Sequence, residues 1–169
     1  MMPNRILTLC ICTVFFCFAA ASSAEDAGIA PPPLQAALFV KLLSFHQGIG
    51  EGVRVHVMEG SDFARELKKV IGVKIGKSSL TEVTEGKHFP AEPPTALYVG
   101  DADLAKEVIR YTREKKVLSI TGLPGLIQKG ITLGVGISGG KPRILLNISA
   151  SKEEDIPWDH AILKVSTTF

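Results

Sequence analysis

Strand-like and helix-like patterns alternate along most of this chain, and their order limits the fold more than any single motif. Apolar residues recur at helical spacing over 34–45, and Val53–Met58 then alternates apolar and polar residues as a half-buried strand does. The same succession continues to the C-terminus. It favours an α/β domain, because parallel strands need crossover connections and these are usually helices.

The remaining segments follow from periodicity and from breaker residues. The first half has a helix over 61–70 capped by Ser61, short strands at 73–75 and 80–83, a Pro-rich loop at 85–94 and a strand at 96–99. The second half has a helix from Asp101 or Asp103 to 116, a strand at 117–121, a turn or a single helical turn at 123–129, strands at 131–138 and 143–149, and helical segments at 151–155 and 159–165. We expect a single α/β domain over 34–169. Its mixed, mostly parallel sheet is flanked by helices and ends in a C-terminal antiparallel hairpin.

The first 24 residues have the three parts of a secretory signal peptide. Arg5 precedes an apolar run of about 16 residues, and the small residues Ser22 and Ala24 follow it. A membrane-spanning helix needs roughly 20 apolar residues, so we predict cleavage after Ala24 and export of the product. Residues 25–33 contain three consecutive prolines, and we expect a flexible leader there.

Cysteine content and charge exclude several classes of function. Cys10, Cys12 and Cys17 all lie in the predicted signal peptide. The exported chain therefore has no disulfide, no thiolate nucleophile and no cysteine-ligated metal. The whole chain has 19 basic and 17 acidic residues, and loss of Arg5 with the signal peptide leaves it nearly neutral. This balance argues against nucleic-acid binding.

Three glycines near the C-terminus have the spacing of a dinucleotide-binding motif, but their context differs. Gly134, Gly136 and Gly139 give G-x-G-x-x-G, which needs a strand, a tight turn and then a helix whose N-terminus meets the pyrophosphate. Here they lie in an alternating apolar pattern, and no helical period follows. Gly139 and Gly140 between two apolar runs predict a hairpin turn. We interpret Gly134 and Gly136 as places where another element or a second subunit packs closely.

The histidines do not form a catalytic or metal-binding pattern. His46, His56, His88 and His160 show no ligand spacing, and His56 falls on the polar side of its predicted strand. Asp159 is adjacent to His160, too close in the chain for one to orient the other, and no G-x-S-x-G segment is present. We predict no enzyme activity, no catalytic, metal-binding or cofactor-binding residues, and no cofactor.

The order of several segments resembles the YfiR-like family of small periplasmic proteins. The segments are QAALFVKLL at 35–43, TALYV at 95–99, VLSIT at 117–121, GITL at 130–133, RILLNI at 143–148 and a helical tail at 156–165. The resemblance extends from Gln35 to the C-terminus. Two departures stand out: Thr95 lies where family members often have a cysteine, and the opening helix keeps only Phe39 and Phe45 of an aromatic set. Redox control and contacts assigned to those aromatics are therefore not expected here.

The resemblance implies a non-enzymatic periplasmic regulator. Such a protein binds and represses the periplasmic domain of an inner-membrane signalling protein, typically a diguanylate cyclase that makes cyclic di-GMP. It also implies a homodimer and an outer-membrane lipoprotein that can sequester the regulator. No partner-interface residues can be assigned from the sequence.

An alternative is a periplasmic small-ligand-binding protein that serves a histidine kinase or a transporter. An α/β sheet offers a crevice at the carboxyl ends of its strands for such a ligand. The single tryptophan, Trp158, has two interpretations, as a core residue or as a partner anchor, and we favour the core because buried aromatics are the commoner use.

Overall fold

Nine strands and six helices make up residues 27–169, which are the residues that the computed structural model describes. The strands are Gly28–Ile29 (β1), Val53–Met58 (β2), Lys74–Ile75 (β3), Ser78–Glu85 (β4), Ala96–Val99 (β5), Leu118–Thr121 (β6), Leu133–Ser138 (β7), Lys141–Leu146 (β8) and Thr167–Thr168 (β9). The helices are Pro32–Leu43 (α1), Ser61–Lys68 (α2), Ala105–Lys115 (α3), Leu126–Lys129 (α4), Ile148–Glu153 (α5) and Ala161–Val165 (α6). The predicted signal peptide and its cleavage after Ala24 lie outside the described residues.

The strands form one mixed sheet in the order β3-β4-β2-β5-β6-β7-β8-β9. The central pairs from β4 through β7 are parallel, whereas β3 with β4 and β7 with β8 are antiparallel. β1 pairs antiparallel with β7 at Gly136 and Ile137, beyond the last pair between β6 and β7. The predicted α/β class, the mostly parallel sheet and the C-terminal antiparallel hairpin are confirmed.

Alternate residues of the central strands supply two apolar cores, one on each face of the sheet. Val55 and Val57 pack with α1 and α2 on one face. Met58 packs with α3 and α4 on the other face. Period-two alternation in strands that are covered on both sides explains why their patterns are nearly all apolar. None of the helices within 27–169 is long and apolar enough to cross a membrane.

The Pro-rich leader predicted over 25–33 is wrong from Gly28 onward. Gly28 and Ile29 form a strand, Ala30 is buried, and α1 begins at Pro32. The prolines suit the first turn of a helix because backbone N–H groups there have no intrahelical partner. Pairing with β7, which local composition does not encode, orders the rest of the segment.

Other boundaries also differ from prediction, among them those of α2 and β8. α2 ends at Lys68, and its N-cap is Gly60 and not Ser61. The strand predicted over 143–149 stops at Leu146, because the Asn147 side chain accepts the Ala150 N–H at 2.9 Å and starts α5. Asparagine is among the most favourable N-cap residues, so its capping chemistry outweighed the apolar run around it.

Candidate functional site

A crevice of about 630 Å³ opens where the carboxyl ends of β2, β4 and β5 meet. β2 connects through α2 to β4 on one side, while β5 lies on its other side. α2 and α3 cover opposite faces of the sheet. This is the topological switch point of an open α/β sheet, where ligands of such folds bind. Glu59 and Gly60 after β2 and Gly100 after β5 line its mouth.

Two aromatic rings, those of Phe63 and Tyr98, line the crevice, and a third packs against them. Tyr98 and Phe63 stack with centroids 4.1 Å apart, and Phe39 meets both rings edge-on. Tyr98 Oη donates to Gln35 Oε1 at 3.0 Å, and Gln35 Nε2 donates to the Ala30 carbonyl at 2.7 Å. Burial raises the pKa of Tyr98 to about 12, so its hydroxyl stays a neutral donor. These contacts thus tie the N-terminal segment to β5.

The acidic groups of the crevice already have basic partners. Lys87 Nζ lies 3.7 Å from Glu59, Arg65 lies 2.7 Å from Asp62, and Lys68 lies 3.4 Å from Glu85. Because each carboxylate is paired, the lining presents no strong net field to a ligand. Glu59 adopts a φ of 51°, a conformation that is costly for a non-glycine residue and that recurs at ligand sites. The arrangement suits a neutral or zwitterionic molecule.

His56 fastens residues 86–94 over the sheet, and we call this segment, which contains neither helix nor strand, the strap. It lies buried in the middle of β2, and Nε2 lies 3.1 Å from the His88 carbonyl. A carbonyl only accepts, so Nε2 carries the proton and Nδ1 accepts from Thr84 Oγ1 at 2.8 Å. The next strap residue, Phe89, stacks on Tyr111 at 4.4 Å. Burial lowers the pKa of His56, although the bond to the His88 carbonyl opposes this shift.

The position of His56 corrects the sequence interpretation. Its side chain lies on the side of the strand that the sequence predicts to be polar, but residues 86–94 cover that side and His56 is buried. The four histidines do not come together. No group of three His, Cys, Asp or Glu side chains in the described part of the chain could hold a metal ion.

Among residues 27–169 the most buried acidic group is Glu154, which sequence reasoning missed. It is 0 % exposed and follows α5. Its Oε1 accepts from Thr112 Oγ1 at 2.7 Å, and its Oε2 accepts from Thr132 Oγ1 at 2.7 Å and from the Ser119 N–H at 3.0 Å. Burial raises its pKa, and the donated hydrogen bonds only partly offset the effect. Thr112, a polar residue on the buried face of α3, was a signal available in the sequence.

Trp158 packs against the core beside α1, as favoured from the sequence. Its ring meets His46 edge-on at 5.7 Å, and Nε1 donates to Ser151 Oγ at 2.6 Å. Burial lowers the pKa of His46. These contacts are intramolecular and leave only part of the ring exposed.

The glycine motif lies in a hairpin, as predicted from its context. Gly139 and Gly140 form the two-residue turn between β7 and β8 with φ of 56° and 73°. Positive φ at both positions is the type I′ geometry that suits a twisted hairpin. Gly136 faces Pro124 and the backbone of Gly28, and a Cβ there would lie 2.7 Å from Pro124 Cγ and 3.0 Å from the Gly28 oxygen. The close approach is therefore made by elements of this same chain.

The similarities to known proteins extend over most of this domain. A family model described as YfiR/HmsC-like matches residues 33–167. Among solved structures, the chain is similar to a conserved domain protein from Vibrio cholerae O1 biovar El Tor, with a TM-score of 0.52 and 12% sequence identity. The similarity covers 83% of this chain and 60% of that chain, and at this identity it indicates the fold alone. No curated protein matches the chain.

Proposed function

The chain belongs to the YfiR/HmsC-like family, and we propose that it binds the periplasmic domain of an inner-membrane diguanylate cyclase and holds that enzyme inactive. Proteins of this family act in the periplasm as regulators of diguanylate cyclases. The observation that supports the proposal is the extent of the match, since 33–167 includes nearly all of the described domain. The proposed role therefore belongs to the domain as a whole.

Repression by a binding protein is an equilibrium effect and needs no chemistry on the regulator. A regulator shifts its target only by the difference between its affinities for the inactive and active states. Turning a target from 99% active to 99% inactive takes about a 10⁴-fold difference in affinity. The proposal thus requires a conformation-selective surface on this protein. We further propose a homodimer, and an outer-membrane lipoprotein that competes for the regulator.

Deletion in the source cell tests the regulatory role. We expect cyclic di-GMP and biofilm to rise on deletion and to fall again when the full chain is supplied. A chain that lacks residues 1–24 is the matched control, because it keeps the folded domain but is not exported. Unchanged cyclic di-GMP, together with failure to capture any membrane sensor, would contradict the proposal. Equal rescue by the control would contradict the periplasmic site of action.

The crevice at the switch point supports a second candidate function, that of a small-ligand receptor serving a histidine kinase or a transporter. A ligand that binds only the folded state raises the melting temperature. We would screen amino acids, other zwitterions and neutral metabolites by thermal shift against the exported protein. Gly86→Leu should fill the crevice and abolish a shift, while Gly125→Leu, at an exposed position outside the lining, should keep it. A shift retained by Gly86→Leu would place the ligand elsewhere.

A further inference from the structure

The turn between α2 and β4 exposes an unusual combination of aliphatic and basic side chains. Residues 68–77 read KKVIGVKIGK, and we refer to them as the basic turn. Six large apolar residues are substantially exposed within 27–169, and three of them fall here: Val70 at 38%, Ile71 at 49% and Val73 at 37%. Exposed apolar residues are ordinary when they are scattered singly. Three within four positions form a patch.

The backbone of the basic turn is held in place. The Gly72 N–H donates to the Leu80 carbonyl at 2.7 Å, and the Leu80 N–H donates back to the Val73 carbonyl at 3.0 Å. The Val70 N–H donates to the Leu67 carbonyl at 3.1 Å. These bonds anchor the turn to the end of α2 and to β4. The aliphatic side chains are therefore presented outward by a fixed backbone.

Four lysines surround these aliphatic side chains, and two of them are unpaired. Lys68 and Lys69 form ion pairs with Glu85 and Glu66, respectively. For Lys74 and Lys77 no carboxylate in the described part of the chain lies within ion-pair distance, and both side chains are exposed. The basic turn itself contains no acidic residue. Its free charge is therefore positive.

We propose that the basic turn docks the protein on an anionic lipid bilayer. Aliphatic side chains that enter the headgroup boundary, together with lysines that attract anionic headgroups, are the two components of peripheral membrane binding. A protein partner fits the composition less well, because the centres of protein interfaces are enriched in aromatic residues and arginine and depleted of lysine. The basic turn contains no aromatic residue and no arginine.

The basic turn and the crevice lie at the two ends of α2. α2 begins at the crevice with Ser61 and ends at the basic turn with Lys68. An eight-residue helix is about 12 Å long, so this length of helix separates the crevice from the start of the basic turn. The Lys68 side chain extends back along this length to Glu85, which lines the crevice. This inference concerns the surface alone and does not depend on the proposed repression of a cyclase.

Vesicle co-sedimentation of the exported protein tests the proposal. We expect binding to vesicles of roughly 30% phosphatidylglycerol in phosphatidylcholine, little binding to phosphatidylcholine alone, and weaker binding as salt is raised. Lys74→Gln with Lys77→Gln should lower the vesicle affinity about 30-fold. Ile71→Ser should lower it without changing the charge. All these positions are exposed, so the melting temperature should stay the same.

The matched control is Lys106→Gln with Lys129→Gln, which removes the same charge from exposed lysines on the α3 and α4 side. It should keep nearly all of the binding. Three outcomes would overturn the proposal: no binding to anionic vesicles, equal loss in the control, or unchanged binding by Ile71→Ser. A different pair of results would assign the basic turn to a protein partner. The unmodified protein would then bind no vesicles but would capture an acidic periplasmic domain, and the Lys74 and Lys77 variant would fail to capture it.

Discussion

Glu154 joins three separate parts of the chain. Its carboxylate accepts hydrogen bonds from α3, from β6 and from the segment before β7. Glu154→Ala removes the acceptor and leaves buried donors without partners, each of which costs about 1–3 kcal/mol. We expect a loss of about 3 kcal/mol in the free energy of unfolding, measured by denaturant titration at neutral pH. Glu154→Gln keeps an acceptor oxygen and should cost less. An equal loss in the two variants would show that the hydrogen bonds contribute little.

The stability difference between the unmodified protein and Glu154→Gln should also depend on pH. The pKa of Glu154 is raised in the folded state above its ordinary value of 4.5. Its contribution to stability is therefore complete below pH 4.5 and is lost as the pH rises through the folded pKa. The stability of the unmodified protein relative to Glu154→Gln should fall with rising pH over that interval. A difference that grows with pH would mean that the carboxylate is stabilised, not destabilised, by its site.

The contribution of His56 to stability depends on pH in the opposite direction. Its pKa is lowered in the folded state below the ordinary 6.5, so its contribution is present above pH 6.5 and is lost as the pH falls through the folded pKa. Because it fastens the strap through His88, we expect faster hydrogen exchange over 86–94 at pH 5 than at pH 7.5 after correction for intrinsic rates. His56→Gln should reduce this dependence, and His160→Gln, at an exposed position, should keep it. Identical strap protection at both pH values would contradict this role.

Neither residue could be assigned its role from the sequence. The alternation in β2 correctly predicts the direction of the His56 side chain, but not that residues 86–94 cross over it. The burial of Glu154 depends on three donors that lie 22 to 42 positions away along the chain. A local pattern contains no information on such partners.

At the scale of elements, Gly136 tests how closely β1 is fitted to β7. A Cβ at this position would approach Pro124 and the backbone of Gly28, and a backbone atom cannot rotate away. We expect Gly136→Val to displace β1, to cost about 1–3 kcal/mol in the free energy of unfolding and to speed hydrogen exchange at Ile29. Gly125→Ala is the control, because it has a helical backbone and open space, and it should be neutral or slightly stabilising. Unchanged exchange at Ile29 in Gly136→Val would contradict this packing.

Most elements were predictable because their signals are local. The Gly139 and Gly140 turn and the strands on either side of it follow from adjacent residues. The errors have two causes. β1 depends on a partner more than 100 positions away in the chain, at Gly136 and Ile137, and α5 depends on one capping side chain, Asn147, within an apolar run.

At the scale of the molecule, the alternating order of strands and helices was enough to predict the α/β class and the presence of a crevice at the carboxyl ends. The order of strands was not predictable, since β4 lies beside β2 and β5 lies on its other side through contacts between distant segments. The residues that line the crevice depend on that order. Family membership and general architecture were therefore within reach of the sequence, and the details of the site were not.

The two cores share one sheet, and this arrangement predicts that the domain unfolds as a unit. Trp158 is the single tryptophan, and it packs on the face of α1 and α2 beside α5 and α6. If the strands bind the two faces into one cooperative structure, its fluorescence and the far-UV circular dichroism must change over the same range of denaturant. We expect superimposable transitions with one midpoint. A fluorescence transition at lower denaturant would mean that the C-terminal segment around Trp158 unfolds first, and that the shared sheet does not couple it to the second core.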